Sequence, residues 1–347
     1  MLTPVEVLNR LLAHNEIFYD EMKDLMRLMM QGEIPQEMIA ALLTGLRMKV
    51  ETVSEISAAL EALKEFSTPV PVEDSRQLLD VSGSGGDGLK TFNISTTSMF
   101  VLASLGVKVA KHGGNEVSSS SGSATIMESM GANIYLTPRQ IVESIEQCNI
   151  GFMFAPLHHP VLRHVAPVRK ILGIRTIFNI LAPLLNPAGA QNQLLGVFHP
   201  DLLGICANVG KQQGLRRLMV VHGCDGMDEI TLSGTTQIAE LSEGQITYYS
   251  IHPEEFKLPV QKDLKSLQVQ SSIESLKKMD SVLDGEKGPC RDIVLLNSAA
   301  ALYCVGIAST IQQGIEMAQE AIDSKSAQAK KAEFIAFTHL FDRQAND

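Results

Sequence analysis

Apolar positions recur at helical spacing through the first ~70 residues of the chain. Met22, Leu25, Met26, Met29 and Met30 follow that period, as do Ile56, Leu60 and Leu63. Thr3-Pro4-Val5-Glu6 reads as a capping box with proline in the first helical turn, and Thr52-Val53-Ser54-Glu55 opens another helix. The methionine stripe reads as core or as a dimer seam, because methionine fills irregular apolar gaps. A cofactor or partner surface is the less favoured reading. Pro69-Val70-Pro71 then forms an extended linker.

After the linker the pattern changes to short apolar runs alternating with helical ones, the signature of an α/β domain. Strands are predicted at 78–81, 107–110, 151–155, 194–198 and 218–222. A hairpin is predicted at 237–241 and 245–250 around Glu243-Gly244. Helices are expected along the apolar run to Leu105, after Thr137-Pro138-Arg139-Gln140, and over 161–172, 291–305 and 307–322. The apolar run 174–185 is broken by Pro183. Residues 254–265 read as irregular, and the tail after Ser324 as amphipathic and polar.

At 347 residues the chain exceeds what one core of ~100–200 residues organises, so two domains are expected. No apolar run reaches the ~20 residues that span a bilayer, and the N-terminus lacks a signal-peptide layout. Five scattered cysteines, odd in number and without a C-x-x-C pair, point to reduced thiols and a cytosolic setting. The formal net charge of −10 disfavours a nucleic-acid partner. It also means that a polyanionic substrate needs a locally positive or N–H-rich pocket.

Such a pocket is suggested by two loops. The first, Gly83-Ser84-Gly85-Gly86-Asp87-Gly88, leaves a strand almost without side chains, so its backbone can approach a ligand closely. Ser95 and Thr96 follow at a helix start, where free N–H groups favour phosphate. The second comprises Lys111-His112-Gly113-Gly114 and the hydroxyl run 118–121. One glycine-rich loop is more often a turn than a phosphate site. Two in neighbouring strand–helix units, with Lys111 between them, suit a pyrophosphate-bearing ligand. The first loop is neither a dinucleotide fingerprint nor a P-loop. Asp228-Glu229, directly after a strand, could hold a hard cation, although a solvated acidic turn is the commoner case. Arg169, taken alone, reads as a surface helix residue.

The run G-x-G-G-D-G-x-x-T-F-N-I-S-T, then V-A-K-H-G, then S-S-x-S-G-S-A, resembles the anthranilate phosphoribosyltransferase family, the class III phosphoribosyltransferases. The resemblance resumes at FMFAPLHHPVLRHVAPVRKILGIRTIFNILAPLLNPAG, VVHGCDGMDEIT and DIVLLNSAAALY, and so covers nearly the whole chain. It implies an α/β fold with a small all-helical N-terminal domain and a larger domain around a mixed sheet flanked by helices. The expected boundaries are 1–70 with a returning segment near 165–187, and 75–347. It implies transfer of a phosphoribosyl group from phosphoribosyl pyrophosphate to the amine of anthranilate, in tryptophan biosynthesis.

Carried over residue by residue, the donor-binding set is Gly83, Gly86, Asp87, Thr91, Asn93, Ser95, Thr96, Lys111, Asn115, Ser118, Ser119 and Ser123. The anthranilate-binding set is Gly83, His112, Gly114, His159 and Arg169. Ser95, Asp228 and Glu229 are the implied Mg²⁺ ligands, with two ions per subunit. No side chain is assigned as a catalytic base, because the acceptor amine is already nucleophilic. A cytoplasmic homodimer through the helices, with no nucleic-acid or membrane partner, is expected.

The second loop departs from the family pattern. Gly114 stands for an Asn, Asn115 for an Arg, Ser120 for a Lys and Thr125 for an Asp, while Glu116 adds negative charge. Ala182 replaces a Gly. These changes weaken the phosphate-side electrostatics. They leave open a paralogue with another aromatic acid acceptor, or a non-catalytic binding protein on the same fold. A pyrimidine nucleoside phosphorylase is disfavoured, because Asp87-Gly88-Leu89 lacks that enzyme's loop lysine.

Overall fold

The computed structural model describes residues 2–85, 87–114 and 122–341. Its centre is a seven-stranded mixed sheet. The strands are β1 (Leu78–Gly83), β2 (Lys108–Gly113), β3 (Ile150–Phe154), β4 (Asn192–Gly196), β5 (Arg217–Gly223), β6 (Thr236–Ser242) and β7 (Gln245–Ile251). Their order is β3-β2-β1-β4-β5-β6-β7. The first five are parallel; β6 and β7 run antiparallel. The β6–β7 turn uses Glu243 at φ 50° and Gly244 at φ 75°, the double positive φ of a tight hairpin turn.

Two layers cover the sheet. On one face the helices Ile94–Ser104, Pro289–Val305, Ile311–Asp323 and Ser326–Thr338 pack over β1, β4 and β5. On the other lies the bundle of Pro4–Leu12, Tyr19–Gln31, Gln36–Lys49 and Val53–Lys64. The capping box expected at Thr3 forms, and the helix starts expected at Thr52 and Thr137 are capping boxes as well. The methionine stripe is core: Met22, Met26, Met29 and Met30 are fully buried within the bundle. The same core takes in Val165, Val168, Ile177, Phe178, Ile180, Leu181 and Leu185, which arrive from far downstream.

Several elements differ from the sequence reading. Strand β2 continues through Gly113, so Lys111 and His112 lie within the strand and pair with Phe152 and Met153 of β3. Ladder hydrogen bonds there override the glycine signal. The expected helix over 161–172 is two pieces, a 3₁₀ turn Pro160–His164 and a helix Ala166–Leu172. Pro167 has no N–H to continue the first piece and suits the first turn of the second. The helix expected from 307 begins at Ile311, because Gly306 at φ 82° ends its predecessor and Thr310 caps the new one. The helices Leu202–Gln212 and Ser272–Leu283 have no counterpart in the sequence reading.

Candidate active site

Strand order reverses between β1 and β4, the position where open α/β sheets bind ligands beyond their carboxyl ends. There Gly83 and Gly196 are register partners. Both are glycine because the loop after β5 presses on them. A Cβ on Gly83 would come within 2.6 Å of Asp228 Oδ2, and one on Gly196 within 1.5 Å of the Asp228 carbonyl oxygen. The Gly85 N–H donates to Asp228 Oδ2 at 2.6 Å. Ser84 ties the same loop to β4: its N–H donates to Gly196 O at 2.9 Å, and its hydroxyl accepts from Phe198 N at 3.1 Å.

The loop carrying Asp228 and Glu229 is held from within. Asp225 accepts from the hydroxyls of Thr231 and Ser233 at 2.6 and 2.7 Å, and from Met227 N at 3.1 Å. Asn297, buried in the helix Pro289–Val305, bonds both the N–H and the carbonyl of Ile230 at 2.9 Å. Sequence reading passed over Asp225 and Asn297. The signal for Asn297 was an amide alone in an apolar, small-residue helix.

Glu229 lies at the centre of a second cluster. Burial pushes its carboxyl up to about 7; Lys111 opposes the rise, Asp87 adds to it, and hydrogen bonds from Ser95 oppose it. Lys111 is 3% exposed, and its ammonium donates to Val81 O at 2.5 Å and Ser95 Oγ at 3.1 Å. Asp87 accepts from Leu89 N at 3.0 Å. Glu229 thus shares one cluster with the Lys111 ammonium, the Ser95 hydroxyl and the Asp87 carboxylate, and Asp228 directly precedes it in the chain. No group of three His, Cys, Asp or Glu among the described residues forms an all-protein metal cage. Mg²⁺ needs none, since it binds through one or two carboxylates with the remaining positions filled by water and phosphate oxygens. Hard oxygen donors and excess negative charge fit that ion.

The other expected donor-side residues that the structure describes have neighbours of their own. Thr96 Oγ1, in the first turn of the helix Ile94–Ser104, is buried with no partner among the described residues. Asn93 is engaged with Ser275, donating from its N–H at 3.0 Å and accepting at Oδ1 at 2.6 Å. Thr91 forms an isolated bridge with Gln268. Ser123 opens the helix Ser123–Ser129 against the end of β2, where a Cβ on Gly113 would lie 1.8 Å from its hydroxyl. Gly86, Asn115, Ser118 and Ser119, with the altered Glu116 and Ser120, lie outside the described residues.

Of the expected acceptor-side residues, His112 and His159 lie at the turn after Leu181. His112 Nε2 lies 2.7 Å from Ala182 O, and its Nδ1 is 3.4 Å from Asp80 Oδ2. The His112 and His159 rings meet edge-on, 6.2 Å between centroids. Burial drives the His159 pKa down to about 3, helped by His112 and His158, so its imidazole is neutral; its Nε2 has no partner among the described residues. The Arg169 guanidinium lies over the Phe178 ring at 5.5 Å. Burial lowers its pKa, its Nε is unpartnered, and no described carboxylate pairs with it. Gly114 follows β2, with Ala155 Cβ 3.7 Å from where its own Cβ would be. No hydrogen bond or ion pair among the described residues joins Arg169 to the carboxylate cluster.

Comparison with known proteins places this arrangement. A profile described as "Glycosyl transferase family, a/b domain" matches residues 75–328, and one described as "Glycosyl transferase family, helical bundle domain" matches residues 5–67. The anthranilate phosphoribosyltransferase of Neisseria gonorrhoeae is 60% identical, covering 98% of this chain and 100% of its own length. That of Chromobacterium violaceum is 54% identical, covering 97% and 98%. Among solved structures, the anthranilate phosphoribosyltransferase of Thermus thermophilus superposes with a TM-score of 0.89 at 37% identity, covering 96% of this chain and 99% of that one. The Saccharomyces cerevisiae enzyme in complex with PRPP and Mg shares the fold at a TM-score of 0.88 and 24% identity, covering 96% and 97%. With its glycine pair at the switch point, its carboxylate loop behind β5 and relatives aligned end to end, this chain belongs to the anthranilate phosphoribosyltransferase family.

Proposed function

We infer that this chain transfers the 5-phosphoribosyl group of phosphoribosyl pyrophosphate to the amine of anthranilate, releasing pyrophosphate. The observation that carries this reading is the pairing of two unlike subsites. One has carboxylates, an ammonium and a helix start; the other has, among the described residues, an unpaired guanidinium over an aromatic ring and a neutral histidine. The first suits a metal-bound pyrophosphate and the second an aromatic acid.

In the reaction the C1–O bond to pyrophosphate breaks, the C1–N bond forms, and the amine loses a proton. Ser95, Asp228 and Glu229 would hold Mg²⁺, two ions per subunit. Mg²⁺ supplies neutralisation of the charge that grows on the departing pyrophosphate. Lys111, held by Val81 and Ser95, adds a fixed positive charge beside the phosphates. The N-terminus of the helix Ile94–Ser104 adds N–H donors.

Arg169 takes the acceptor's carboxylate; Phe178 beneath it keeps the guanidinium plane oriented. His159, neutral and with Nε2 unpartnered, accepts a hydrogen bond from the amine rather than acting as a strong base. Catalysis is then positional: two bound substrates and a stabilised leaving group.

We take residues 1–70 with 165–187 as the helical domain and 75–347 as the donor-binding domain. A homodimer through the helical domain is supported by the exposed apolar side chains Leu12, Phe18, Met48 and Val50. No helix among the described residues is long and apolar enough to cross a membrane, and the five cysteines are free, which suits a reducing cytoplasm. Incubation with both substrates and Mg²⁺ tests the reading. Pyrophosphate should appear in step with loss of anthranilate. Donor binding without any turnover of anthranilate would move the chain to another acceptor.

A further inference from the structure

The turn that follows Leu181 is fastened to the sheet by side chains. His112 of β2 meets Ala182 O at 2.7 Å, and Gln193 of β4 donates to Pro183 O at 2.7 Å. Asn186 reaches back to Ala110 O of β2, also at 2.7 Å. The first of these bonds dictates a tautomer. A carbonyl oxygen only accepts, so the proton lies on His112 Nε2.

That assignment has a consequence at the other ring nitrogen. Nδ1 faces Asp80 Oδ2 at 3.4 Å. Asp80 lies on β1 and is 1% exposed; among the described residues neither of its carboxylate oxygens has a hydrogen-bond donor, and His112 Nδ1 has no hydrogen-bond partner either. A carboxylate facing an imidazole lone pair in a buried site is repulsive, and an unpaired buried charge is costly. One proton between Nδ1 and Oδ2 removes both problems. Whichever atom carries it, the pair is neutral overall and Nε2 remains a donor.

We propose that Asp80 and His112 form a proton-sharing brace that holds His112 as a donor to Ala182 and thereby sets the place of Arg169. The path is short. Ala182 directly follows the helix Ile177–Leu181, which carries Phe178, and Phe178 lies under the Arg169 guanidinium. His159 packs against the same brace through its ring, with the Leu185 backbone as its hydrogen-bond neighbour. Asp80 touches neither substrate in this scheme and acts as a positioning residue for the acceptor side. The kinetic part of the proposal rests on the function inferred above; the proton assignment does not.

Two variants and one spectrum test it. Asparagine at position 80 can donate from its amide to Nδ1 and keep Nε2–H, whereas alanine cannot. Asp80→Ala should raise the KM for anthranilate about tenfold, the scale of one charge-assisted hydrogen bond, with the donor KM within about twofold of wild type. Asp80→Asn should recover most of that loss. In the ligand-free wild-type protein, ¹⁵N NMR of labelled histidine should show His112 protonated at Nε2 with a shared proton at Nδ1. The spectrum judges the brace even if anthranilate is not the acceptor. An unprotonated Nε2 overturns the proposal. So does an Asp80→Asn variant as impaired as Asp80→Ala, or a loss that falls equally on donor and acceptor KM.

Discussion

Gly196 has no side chain because the carbonyl oxygen of Asp228 occupies the place of its Cβ, 1.5 Å away. A backbone atom cannot swing aside as a side-chain tip can. Gly196→Ala should therefore displace the Asp228-Glu229 loop, cost ~1–3 kcal/mol of stability or more, and lower kcat by at least tenfold. Denaturant titration with steady-state kinetics checks both; wild-type kcat in a folded Gly196→Ala variant would show that the loop tolerates the shift.

Asp228→Asn with Glu229→Gln should abolish Mg²⁺-dependent turnover while leaving the fold intact. Both replacements keep the size of the side chain and remove only charge. The measurement is activity against Mg²⁺ concentration, alongside circular dichroism. Undiminished activity would take these two carboxylates out of the site.

Arg169→Ala should raise the anthranilate KM roughly tenfold or more, since a charge-assisted contact contributes ~1.5–3 kcal/mol. Donor affinity should hold. Isothermal titration with each substrate separates the two; a fall confined to the donor would reassign Arg169.

Among the described residues, the neighbour nearest a Cβ on Gly114 is Ala155 Cβ at 3.7 Å, and its φ is not in the left-handed region. Gly114→Asn should fold normally. A restored amide at this point should lower the donor KM by about three- to tenfold, the range of one neutral to partly charged hydrogen bond. An unchanged KM would mean that the departures in this loop do not weaken donor binding.

Acid should destabilise the protein through His159. Its folded pKa of about 3 lies below the ordinary value of 6.5, so the unfolded chain binds the proton first. The contribution is fully present above pH 6.5 and is lost as pH falls toward about 3. At pH 5 the loss approaches roughly 2 kcal/mol. Urea titrations at pH 7 and pH 5 should show this drop, and His159→Gln should flatten it.

Much of the fold was legible because its signals are local. Thr3, Thr52 and Thr137 announce helices through their own hydroxyls, and the β6–β7 hairpin through Glu243-Gly244. Non-local forces produced the misses. Pairing with β3 carried β2 past Lys111, and the helix Leu202–Gln212 is apolar along the face it turns to the sheet. At the site, the motif residues Gly83, Lys111 and Asp228 were readable as types. Which of them touch was not: that Lys111 would be tied to Ser95, or that Gly83 would face the carboxylate of Asp228 and Gly196 its backbone carbonyl, depends on strand order. Asp80 carried a signal that went unread, a lone charge inside a fully buried strand.

The crossing segment also bears on how the chain acquires its structure. Val165 follows Lys64, the last residue of the fourth N-terminal helix, by 101 positions, yet both ends of that span contribute to one core. Closing a loop of this length costs roughly 4 kcal/mol of chain entropy beyond a constant, before any contact compensates it. During synthesis the first four helices leave the ribosome without Phe178 and Leu181, which fill their interior. They must wait until β1, β2 and β3 have been made, so the bundle matures late although it is translated first. A fragment ending near residue 67 should collapse without a fixed interior.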